Sequence, residues 1–73
     1  MKTTTTARKI EQTASFCADE HMRQGWTGDG STYDLGAFHG DAEALQERLG
    51  RVPSKSERLD LERQIRAVLT AHA

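Results

Sequence analysis

Asparagine is absent from this 73-residue chain, cysteine and proline occur once each, and Ile, Leu, Val and Phe together number only 12. Without Asn there is no acceptor for N-glycosylation. The single Cys17 forms no internal disulfide and cannot by itself define a zinc finger, so the staples common in short domains are missing. No apolar run exceeds two large residues and the mean hydropathy is -0.71, which excludes a membrane span. Seventy-three residues are also too few for a dinucleotide fold, a barrel or a P-loop domain. The core is therefore thin, and stability is expected from helix packing, self-association or a partner. The charged start Met1-Lys2 has no secretory pattern, which points to a cytoplasmic protein. Arg outnumbers Lys by 7 to 3, and together with the missing Asn this fits a GC-rich bacterium, or a phage or plasmid within one.

What is present reads as helix. Residues 1–6, with four consecutive threonines, have nothing to bury and are expected to fray. From there Ala7, Ile10, Ala14, Cys17 and His21 recur at spacings of three and four, predicting a helix to about Arg23. Its small side chains leave most of the burial to Ile10 and Phe16. Gly25, Gly28 and Gly30 then mark residues 25–31 as a flexible loop carrying Trp26. Ser31 followed by Asp34 resembles a helix start, and Leu35, Phe38, Ala42, Leu45 and Leu49 keep one phase, predicting a second helix from about 31 to 49. Gly36 and Gly40 lie inside it at a cost of ~1 kcal/mol each, so a later start at Asp41 is the alternative. Gly50 is a C-terminal cap, and Ser54-Lys55-Ser56-Glu57 after Pro53 is a capping box. The third helix carries Leu61, Ile65, Val68 and Leu69 on one face. The fold class is all-α: one small domain, with an N-terminal helix and an antiparallel hairpin of helices 2 and 3, expected to dimerise.

Candidate chemistry is sparse. Cys17 and His21 share a helix face, and His39 with Asp41 completes four ligands on paper, but neither half has paired ligands at zinc spacing, so no metal or other cofactor is expected. As nucleophile and base the same pair fares worse, because Asp19 and Glu20 adjoin a thiol that needs positive surroundings. Thr27-Gly28-Asp29-Gly30-Ser31 lacks the ligands of a calcium loop and the Lys of a phosphate loop. Gly36-x-x-x-Gly40 is a close-packing motif mainly in membranes. Trp26 either folds back as a lid or stands out as an anchor.

Charge is segregated. Residues 19–43 hold six acids and one Arg, a net of -5, whereas residues 48–66 hold six bases and three acids, a net of +3. This suggests a non-enzymatic adaptor or inhibitor that meets a larger protein with a basic surface, for instance a host nucleic-acid-handling complex. Its contacts would be Trp26, Asp29, Asp34, Asp41 and Glu43. The alternative is a nucleic-acid-binding regulator using Arg48, Arg51, Lys55 and Arg58; a pI near 6.3 and acids interleaved along the third helix count against it.

Overall fold

A computed structural model describes residues 5–73; of the residues 1–6 expected to fray, the first four lie outside the described residues, while Thr5 and Thr6 form the start of the first helix. The chain forms three α-helices, α1 (Thr5–Arg23), α2 (His39–Leu49) and α3 (Lys55–Ala71), with a short 3-10 turn at Leu35–Ala37. The all-α class and the three helices agree with the sequence pattern, and no strand occurs among the described residues. Nor is any helix there long and apolar enough to cross a membrane.

On α1 the three-four stripe buries Ile10, Ala14 and Cys17, with Ala18 beside them. Buried Thr13 satisfies its hydroxyl by donating to the Lys9 carbonyl at 2.7 Å. Phe16 departs from the expectation and is 48% exposed. At ~100° per residue it lies ~100° from Cys17 and ~200° from Ala14, off the stripe that faces the core. Its ring instead underlies the Arg48 guanidinium, 5.0 Å from the centroid. From α3, Leu61, Ile65 and Leu69 complete the core with Leu45 of α2. The principal partner of α3 is α1, which also packs on α2. The short connection of α2 to α3 is present, but α1 supplies the central packing surface for both.

The second helix is shorter than the apolar phase implied. It begins at His39, behind Phe38, and not at Ser31. Two local interactions claim the residues before it. Ser31 turns back on Asp29, its N–H and hydroxyl donating to Asp29 Oδ1 at 2.9 and 2.7 Å. Asp34 then caps the 3-10 turn by accepting the Gly36 N–H at 3.1 Å. Short polar side chains thus offer the backbone a turn where a longer helix would also have to include Gly36; Gly40 stays within the first turn of α2.

The residues that join α1 to α2, among them the Gly-rich run 25–31, make polar contacts to the last helix. Gly30 N–H donates to Thr70 Oγ1 at 3.0 Å, Leu35 N–H to Glu62 Oε2 at 2.9 Å, and Arg66 Nε–H to the Tyr33 carbonyl at 2.9 Å. All three contacts run to α3. Gly30 is buried directly against that helix, where a Cβ would overlap the Arg66 backbone.

The turn into α3 follows the sequence closely. Gly50 takes the left-handed conformation, φ 74°, and its N–H reaches the Gln46 carbonyl at 2.9 Å. Ser54 and Glu57 exchange the reciprocal hydrogen bonds of a capping box.

Candidate functional site

Two places in this scaffold carry chemistry: a half-buried acid set among aromatic rings, and an open face on α3. The acid is Asp41, in the first turn of α2. Its Oδ2 accepts the Tyr33 hydroxyl at 2.5 Å and His21 Nε2–H at 2.7 Å. His21 packs edge-on to Trp26, Tyr33 and Phe38 with centroids 5.7, 5.5 and 4.5 Å away, and Tyr33 stacks on Phe38 at 5.4 Å. Trp26 closes the group from outside, donating Nε1–H to the Asp29 carbonyl at 3.0 Å. It is half-buried against the core, in the manner of a lid.

Cys17 lies beside this cluster, and burial together with the Asp41 carboxylate pushes its thiol up to about 12. Burial and Asp41 likewise raise the Tyr33 hydroxyl above its ordinary value. Neither group is a ready nucleophile or base near neutral pH. Of the four ligands weighed from the sequence, the structure gathers Cys17, His21 and Asp41, while His39 lines a separate cleft against α3. Among the described residues no three His, Cys, Asp or Glu side chains are arranged to hold a metal ion.

The other acids of the sequence-derived contact set are scattered. Asp29 and Asp34 are exposed and engaged in turns, Ser31 holding the Asp29 carboxyl below its usual range. Glu43 is exposed on α2. Among the basic alternatives, Arg48 covers Phe16 and Arg51 grips Glu57 with two hydrogen bonds of 2.8 and 2.7 Å. Arg63 pairs with Asp60, and Arg66 with the Tyr33 carbonyl and Glu62. The side chains of Lys55 and Arg58 differ, making no hydrogen bond or ion pair among the described residues, although the Arg58 backbone N–H donates to the Ser54 carbonyl at 3.0 Å.

Those two cations belong to the second place. Leu59 is 55% exposed on α3 and stands as a ridge between two clefts. One, of about 280 Å³, has Leu35, Ala42 and Leu59 as apolar lining, with His39, Lys55 and Arg58 around them. The other, of about 380 Å³ and more open, runs along Ile10, Ser56, Asp60 and Arg63.

Sequence reasoning missed Tyr33, the largest fully buried side chain, and the close approach at Gly30. Both sit in irregular backbone, where periodicity carries no signal; the Ser-x-Tyr-Asp run gave only turn chemistry. Leu59 was passed over because it falls off the apolar stripe of α3, which is also why it is exposed. Compared with known proteins, the chain matches no family model, no curated protein and no solved structure.

Proposed function

We propose that this chain is a non-enzymatic protein-interaction module, an adaptor or inhibitor, whose contact face centres on Leu59. The observation that carries this reading is a large apolar side chain held out from a rigid helix, with a cleft on each side. A water-exposed leucine costs little by itself, but one that borders a concave surface floored by Leu35 and Ala42 on one side and a polar cleft on the other has the form of an interface anchor with a polar rim. The acidic face around Trp26 is the weaker candidate, because Trp26 and Asp41 turn inward and Asp29 and Asp34 are engaged in turns. A nucleic-acid role has less support as well, since four of the six bases in 48–66 are engaged within the chain.

The test is a photo-crosslinking amino acid placed at Leu59, with exposed Gln12 on α1 as control, in cells that express the chain natively. A partner captured at Leu59 and not at Gln12 is identified by mass spectrometry, purified and titrated by calorimetry. Leu59→Ala should weaken that complex tenfold or more while the melting temperature of the free chain stays put. Equal capture at both positions, or a complex indifferent to Leu59→Ala, would remove this face from consideration.

A further inference from the structure

The cleft on the α2 side of Leu59 has a sharper chemical character than an interface in general. Six bases lie between residues 48 and 66, and internal partners occupy Arg48, Arg51, Arg63 and Arg66. The two left over, Lys55 and Arg58, both line this cleft. His39, from the first turn of α2, adds an exposed imidazole to the same lining. The one acid in the lining, Glu62, directs its Oε2 at the Leu35 N–H and at Arg66. Beneath the charges the surface is apolar: Leu35, Ala42 and Leu59.

We infer that this cleft seats an acidic amphipathic helix of a partner protein. A large apolar side chain of that helix lies against Leu35, Ala42 and Leu59 while flanking carboxylates meet Lys55 and Arg58. The inference rests on the interaction role proposed above and names its occupant. Charge complementarity selects carboxylates, and the apolar floor selects a side chain between them. A nucleic-acid backbone fits less well, because it offers nothing for the floor and asks for an extended basic surface. A second copy related by a two-fold axis through the cleft would set Lys55 and Arg58 against themselves.

The test uses the full chain and a labelled synthetic helix of about five turns with Leu at i and i+4 and Glu on either side. A matched peptide carries Gln for every Glu, and single- and double-stranded DNA serve as further probes. Backbone amide shifts are mapped by NMR as each probe is titrated to millimolar concentration, and affinity is followed by fluorescence anisotropy. The Glu peptide should shift Leu35, His39, Ala42 and Leu59 and weaken with added salt, and the Gln peptide should bind at least tenfold less well. The pair Lys55→Glu and Arg58→Glu should lose the Glu peptide tenfold or more and gain a Lys-substituted one, with melting unchanged. Equal binding of the Gln peptide, shifts elsewhere, or indifference to the charge reversal overturns the assignment. Shifts at these residues with DNA alone would assign the cleft to phosphate, and self-association abolished by Arg58→Glu would assign it to a second copy. If the acidic peptide fails while a partner still crosslinks at Leu59, the occupant is wrong and the interaction role stands.

Discussion

His21 Nε2 and Asp41 Oδ2 meet at 2.7 Å, tying the last turns of α1 to the first turn of α2. The same oxygen receives the Tyr33 hydroxyl at 2.5 Å, so a single carboxylate atom joins two helices and the segment between them. Asp41 is thereby an internal fastening between α1, α2 and the segment that joins them. Its place near the N-terminus of α2 is also favourable to a negative charge.

Removing that carboxylate should therefore be costly. Asp41→Ala leaves the Tyr33 hydroxyl and His21 without their acceptor, at ~1–3 kcal/mol for the fully buried Tyr33 and less for the half-buried His21, against a total of roughly 4–11 kcal/mol for a chain of this length. Asp41→Asn, which retains one acceptor, should cost less. Urea unfolding followed by circular dichroism measures both, and an Asp41→Ala midpoint equal to wild type would mean the three groups do not act together.

Gly30→Ala should detach the segment from α3, because its Cβ has no room beside the Arg66 backbone. The expected result is a lower melting temperature and altered Trp26 fluorescence with most helix retained. Gly28→Ala is the contrast: its Cβ meets no neighbour, so only the positive φ of 81° opposes it. A Gly30→Ala variant as stable as wild type would contradict the close approach.

The raised thiol of Cys17 fixes the behaviour in base. Its ordinary value is 9.0 and its folded value about 12, so between these limits the folded chain holds a proton that the unfolded chain has lost. That contribution to stability is present below pH 9 and declines as pH climbs toward 12, with Tyr33 acting in the same sense. Iodoacetamide at pH 8 should label native Cys17 slowly and urea-unfolded Cys17 readily. Labelling at the same rate in both states would show the thiol to be open.

At the acid end the relevant group is Glu57, which the Arg51 guanidinium and the Ser54 N–H hold at about 2, below its ordinary 4.5. Stability from this carboxylate is present above pH 4.5 and is lost as pH falls toward 2. Thermal melts across that window should show a steeper decline for wild type than for Glu57→Gln. Parallel declines would detach acid sensitivity from this pair.

Ile65 is fully buried on α3, so Ile65→Asp places an unpaired carboxylate in the core and should abolish the cooperative transition. A wild-type circular dichroism signal and melting temperature in this variant would put the α3 stripe outside the core.

Legibility in the sequence followed the physics of each segment. Leu45, Leu61, Ile65 and Leu69 were readable because a helix repeats its inward face, and Ser54, Glu57 and Gly50 because caps are local chemistry. Phe16 was misread by weighing its size above its phase. Tyr33 and Gly30 owe their burial to α3, more than 30 residues downstream, and no local pattern reports a contact at that separation. The Asp41 cluster was half visible: Cys17, His21 and Asp41 stood out as possible ligands, but the partner that makes Asp41 structural is Tyr33, from the irregular segment.

The fastening of that segment to α3 bears on how fast the chain can fold. Its three polar contacts span 27, 33 and 40 residues, and the chief helix pairing joins the first helix to the last. A hairpin of neighbouring helices closes a short loop before it gains burial; here the pairing of α1 with α3 closes a loop of about half the chain. Among helical domains of its size this one is therefore expected at the slow end of the range, with its middle segment ordering only as α3 docks.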